Sequence, residues 1–223
     1  MQDLSITSSV KDAGKFGTTT ADHIRGSRVA KKTGGYSRSA NSEASADFPS
    51  IKKDYEDSLI ALTSLTDEEI QSVRDSWLIL KAHIEKIGVI VFLGLFEEHS
   101  DFRDAFARFR GKQLVEITRD PALQAHGLRV LNVVDKLVGR LQKVEAIQDF
   151  ILSLGSRHCK YVPSINLIPS VGEQLLEAIQ PALEEQGMWT ESTQRGWKAV
   201  LSYLTNAMRY GLARTPQTSL NIT

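Results

Sequence analysis

The chain is poor in the features that announce many protein classes. Its 223 residues include a single cysteine, Cys159, so no intramolecular disulfide framework can form, and the lone thiol fits a reducing, cytoplasmic compartment. Charge is balanced, with 27 Lys+Arg against 27 Asp+Glu, so no net charge recruits nucleic acid and no nucleic-acid partner is expected. No apolar run reaches membrane-spanning length. The opening MQDLSITSSV has neither a basic n-region followed by an apolar h-region nor the Gly after Met that myristoylation requires. Alternating strand patterns are missing. So are flavin and nicotinamide motifs and the H-x-x-x-H and C-x-x-C spacings of common zinc sites.

What is present divides the chain into three. Residues 1–62 are dominated by Ser, Thr, Gly, Ala and charged side chains. Such a stretch buries too little apolar surface to offset its ordering entropy, and it reads as a disordered polar extension. Arg25, Arg28, Lys31, Lys32 and Arg38 cluster inside it without an intervening acid. They suit a solvated tail or, as the lesser reading, an electrostatic contact to a membrane's anionic lipid, to nucleic acid or to a partner. Residues 63–212 carry helical spacing almost throughout, and residues 213–223 form a short flexible tail.

Helix signals begin at LTDEEI, where Thr66 and Glu69 make a capping box. The punctuation predicts helices over about 67–83, 84–98 and 100–106, then a loop near 107–119. Asp120-Pro121 opens a helix to about 142, and another covers about 145–159. Pro163 breaks the chain. The next helix has Pro169 in its first turn and runs to about Glu185, with Pro181 as a kink or stop. Thr190 caps the last helix, whose apolar face is Trp197, Val200, Leu201, Leu204 and Met208. The sum is an all-α domain.

Two of the five histidines stand apart. His126 shares a helix face with Val130 and Val133, and an imidazole on an apolar stripe is costly unless something binds it. Gly127 follows it, and Gly88 lies on the second helix. Two glycines at a crossing let backbones approach closely, which would bring Phe92 over the same cavity. His158 follows Phe150, Ile151 and Leu154. Its ring can donate one N–H to the Leu154 carbonyl, leaving a lone pair on the other nitrogen for a metal. Zinc is the rival metal, but it usually wants three or four ligands. Two histidines on separate helices, walled by aromatic and β-branched side chains, suit haem iron better. Arg129 and Arg157 fall at the cavity mouths, either as partners for haem propionates or as ordinary surface arginines.

Over residues 64–212 these residues resemble the globin family. The match comprises Trp77 in RDSW, Gly88 and Phe92, Phe106 and Phe109 in DAFARF, His126-Gly127 with Val130, Leu154 with His158, and Trp197. The histidine spacing, LGSRH and SVGEQLL are most similar to the neuroglobin and globin X branch of animal globins. The resemblance implies a three-over-three helical sandwich holding haem b, with His158 as proximal and His126 as distal ligand. It implies Phe106 stacked on the haem and Phe92 and Val130 shaping the distal side. Phe109, Arg129, Leu154, Arg157 and Ile168 complete the expected cofactor-binding set. The chain departs from the pattern at Met1-Gln2, which lacks the acylation signal of membrane-attached relatives. It departs again at Arg157, where oxygen-storage globins commonly carry Ser.

The implied activity is reversible binding of O2, CO or NO. Ligand-free iron is then either five-coordinate or bound by both histidines, and the branch resemblance favours the latter. NO or nitrite handling, or gas sensing, is the alternative, and it would require a separate reductase.

Overall fold

The computed structural model describes residues 47–215. Among them run nine α-helices and a 3-10 turn: α1 (Phe48–Thr63), α2 (Asp67–Lys81), α3 (Ile84–Glu98), α4 (Ser100–Ala105), α5 (Leu114–Ile117), α6 (Pro121–Val138), α7 (Glu145–Arg157), the turn Ile165–Leu167, α8 (Ile168–Glu185) and α9 (Glu191–Ala213). Helices α2, α6 and α7 form one layer and α3, α8 and α9 the other, with α3 crossing α6 and α9 crossing α7. None of these helices is long and apolar enough to cross a membrane.

Local chemistry sets several helix starts. The Thr66 hydroxyl accepts from the Glu69 amide at 3.2 Å, and the Glu69 carboxylate accepts from the Thr66 amide at 2.8 Å, so two otherwise orphaned donors are satisfied. Asp120 caps α6 by accepting from the Ala122 amide at 2.9 Å, with Pro121 in the first turn. Thr190 caps α9 through the Thr193 amide. Helix α8 is closed off just past its end by Gly187, whose φ of 65° lets Met188 N–H reach the Leu183 carbonyl at 2.8 Å and Gly187 N–H the Glu184 carbonyl at 2.9 Å. Pro181 does not stop α8 short. Buried Ile179, Ala182 and Leu183 hold the helix through it to Glu185.

Buried tryptophans tie helices together, Trp197 across the two layers and Trp77 within one. Trp197 Nε1 donates to Ser76 Oγ at 2.9 Å, and Trp77 Nε1 donates to Asp135 on α6 at 2.7 Å. Glycines set the closest crossings. A Cβ on Gly88 would lie 2.8 Å from the Cα and carbonyl carbon of Gly127, so α3 and α6 touch backbone to backbone. Gly155 and Gly211 do the same for α7 and α9, against Met208 and Leu152.

Two regions correct the sequence-based expectation. Helix α1 occupies the end of the stretch expected to be a disordered polar extension over residues 1–62. Its buried residues Ile51, Tyr55, Ser58 and Leu62 recur at helical spacing, and the Tyr55 ring stacks on Tyr210 of α9 with centroids 4.8 Å apart. Lys and Asp around these positions hide the narrow apolar stripe, which needs α9 to cover it. The expected loop near 107–119 contains α5, started by a capping box between Gln113 and Glu116 and anchored by the fully buried Ile117. The basic cluster from Arg25 to Arg38, the rest of the N-terminal extension and the tail beyond Thr215 lie outside the described residues.

Candidate haem site

A cavity of about 760 Å³ opens between the layers. Its walls come from α3 and α4 (Phe92, Phe102, Phe106), α6 (His126, Arg129, Val130, Val133, Lys136), α7 and its end (Phe150, Leu154, Arg157, His158), the start of α8 (Ile168, Val171) and α9 (Leu204, Thr205, Met208). The lining is overwhelmingly apolar, and its charged side chains are Arg129, Lys136 and Arg157, with no carboxylate.

His158 sits at the C-cap of α7 rather than within the helix. Its Nδ1 lies 2.7 Å from the Leu154 carbonyl oxygen. A carbonyl can only accept, so Nδ1 is the donor, and the neutral tautomer this selects has its lone pair on Nε2. The contact spans one helical turn, and therefore follows from the sequence spacing once α7 forms.

His126 faces the same cavity from α6, half-buried. The edges of Phe92 and Phe106 pack around it, with ring centroids 4.9 and 5.1 Å away. Burial, then the Arg129 charge and the His158 ring, push its pKa down to about 4, so the imidazole is neutral at neutral pH. It makes no hydrogen bond to a described protein group, and one ring nitrogen keeps an uncommitted lone pair. The Gly88–Gly127 contact explains its placement: the α3 and α6 backbones touch beside it, and Phe92 lies one turn beyond Gly88.

Of the residues expected from sequence, Phe92, Phe106, His126, Arg129, Val130, Leu154, Arg157, His158 and Ile168 line this one cavity. Phe109 does not. The chain turns after Phe106, with Phe109 N–H donating to the Phe106 carbonyl at 2.8 Å. The Phe109 ring stacks behind Phe106 in the core at 1% exposure. Only the first aromatic of DAFARF therefore reaches the site.

Lys136, Tyr161 and Val162 were missed, as was the contribution of α9. Lys136 continues the stripe His126–Val130–Val133 by one more turn and sits over the Phe150 ring, 4.9 Å from its centroid. Extending the helical spacing would have found it. Leu204 and Met208 were legible as an apolar face, but not as cavity wall. Among the described residues no three His, Cys, Asp or Glu side chains converge, so a self-contained zinc site of three or four ligands is not formed there.

The globin family model matches residues 90–208, more than half of the chain. The chain belongs to the globin family. It is 26% identical to a neuroglobin of Danio rerio over 161 residues, covering 72% of this chain and all of that relative. It is 28% identical to neuroglobin-1 of Oncorhynchus mykiss over 154 residues, covering 69% of this chain and 96% of that one. A hexacoordinated haem protein from an anhydrobiotic tardigrade, solved at pH 4, superposes with a TM-score of 0.62 at 24% identity, covering 67% of this chain and 96% of the other, a likeness that shows the fold.

Haem is the cofactor of this globin, and the cavity fits it. Two imidazoles line a single apolar space that Arg129 and Arg157 also border.

Proposed function

We propose that this globin reversibly binds O2 and other diatomic gases, and that both histidines ligate the iron when no gas is present. The observation that carries this reading is the pair of imidazoles lining one apolar cavity, each with a nitrogen that no described protein group engages. Ferrous haem supplies a coordination position for O2, CO or NO. His158 would hold the iron from the α7 side, its ring oriented by the Leu154 carbonyl. His126 would fill the sixth position itself or yield it and offer an N–H to the incoming gas. Competition of this kind lowers apparent gas affinity by the fraction of closed state. Arg129 and Arg157 would pair with the propionates, and the walls formed by Phe92, Phe106, Val130 and Ile168 exclude water.

One observation favours a second reading, handling of nitrite or NO with an external reductase. The cavity's charged lining is entirely cationic, which attracts small anions. The ferrous, ligand-free absorption spectrum tests the first reading. Low-spin bis-histidine bands support it, a five-coordinate high-spin spectrum removes the distal ligation, and a colourless chain that shows no Soret band after hemin is added removes the whole reading. Turnover of nitrite or NO with a chemical reductant tests the second.

A further inference from the structure

The geometry points to α1 as a strap on the His158 side of the cavity, with Arg209 as the positioning residue that fastens it. The inference rests on His158 being the proximal ligand, and it adds a control element that precedes the stretch matched by the family model.

Arg209 on α9 is 11% exposed and has partners on two separate segments. One guanidinium nitrogen, Nη1, donates to Asp54 of α1 at 2.8 Å. The other, Nη2, donates to Asn166 Oδ1 at 3.0 Å and lies 3.5 Å from Asp47, just before α1. Asn166 belongs to the 3-10 turn that ends the connector from His158 to α8. The planar fork of arginine holds both directions at once, which the single ammonium of lysine does not.

Beneath this fork lies a matching apolar contact. Ile51 of α1 is fully buried against Ile165, Ile168 and Leu212, with Cys159, Val162 and Met208 packed around them. Val162, Ile168 and Met208 also line the cavity. Ile51 is therefore one side chain away from the haem space, on the wall that carries His158. The near end of the connector is held by His158 itself, whose carbonyl accepts from Tyr161 and Val162 at 2.9 and 3.1 Å. The far end is held by Ile165 and Asn166, and both rest on α1 or on the arginine that α1 engages. Seating of α1 thus keeps the connector closed over the proximal wall, and release of α1 loosens it.

The test uses the full chain with Asp54→Ala and Asn166→Ala, two changes at positions outside the buried core that remove the Asp54 and the Asn166 partner of the Arg209 fork, together with both combined. Amide hydrogen exchange over residues 160–167 of the haem-free protein is expected to speed up about fivefold in each variant, with amides of α2 and α3 unchanged. The combined variant adds little, because both arms act through one guanidinium. Transfer of haem from the loaded protein to an excess of a tight-binding apoglobin should accelerate by a similar factor. Arg209→Lys, which keeps the Asp54 arm alone, should match Asn166→Ala. Unchanged exchange over 160–167, an increase spread equally over α2 and α3, or faster local exchange without faster haem loss each overturns the proposal. A wild-type chain that takes up no haem overturns the haem reading instead, while the exchange data still decide whether α1 straps the connector.

Discussion

Gly88→Ala puts the backbone contact between α3 and α6 to a quantitative test. The added Cβ would lie 2.8 Å from two backbone atoms of Gly127, and backbone cannot rotate away as a side chain can. Reaching an ordinary contact requires the helices to part by about 0.6 Å along the whole crossing. Overpacking of this kind costs about 2–3 kcal/mol, and replacing a helical glycine by alanine returns about 1 kcal/mol of propensity. The net loss is about 1–2 kcal/mol, or ~2–8 °C in the unfolding midpoint of a chain this size. Gly139→Ala is the control. There φ is −65°, and the nearest atom to a new Cβ is the Asp135 carbonyl oxygen at 3.4 Å. That change should stabilise by about 0.5 kcal/mol. Thermal unfolding followed by circular dichroism measures both. The Gly88 variant should also lose part of any six-coordinate ferrous signal, because parting α3 from α6 carries His126 off its seat beside Phe92. Equal midpoints for the two alanine variants would refute the crossing as the determinant of the distal wall.

The other predictions concern the site and its supports. His158→Ala should abolish stable haem retention on gel filtration, whereas His126→Leu should keep haem and convert a six-coordinate ferrous spectrum to five-coordinate. Retention unaffected by the first change rejects the proximal assignment. Phe109→Leu should cost on the order of 1 kcal/mol in urea unfolding and leave the visible spectrum unmoved, since its ring lies behind the cavity wall. The Asp120 carboxyl, which caps α6, is held below its ordinary value first by the Arg108 guanidinium and then by the Ala122 amide. A depressed carboxyl contributes stability that is full above its unfolded-state pKa and is lost as pH falls through the folded-state pKa. Asp120→Asn, which keeps a capping oxygen, should therefore flatten the acid limb of the stability curve. An acid limb of unchanged slope would show that Asp120 is not one of the groups responsible.

The parts of this globin legible in one dimension are those whose partners sit within a turn or two along the chain. The Thr66–Glu69 capping box, the Asp120-Pro121 start of α6 and the His158–Leu154 hydrogen bond all close within four residues. Their geometry follows from helix formation and needs no other element. The Gly88–Gly127 pair was legible for a related reason: glycine tolerates a close approach that other residues do not, and it stands next to a histidine on an apolar stripe. Packing between distant segments settled the rest. Helix α1 carries only a narrow apolar stripe, and its helical state depends on Tyr203, Tyr210 and Arg209 of α9 being there to meet it. Phe106 and Phe109 are equivalent in the string DAFARF, yet a turn between them sends one ring into the cavity and its neighbour into the core. Pro181 reads as a break, but buried neighbours on both sides hold the helix through it. A local hydrogen bond is written in spacing alone. A burial preference is not, because the free energy that expresses it belongs to whichever surface arrives to cover it.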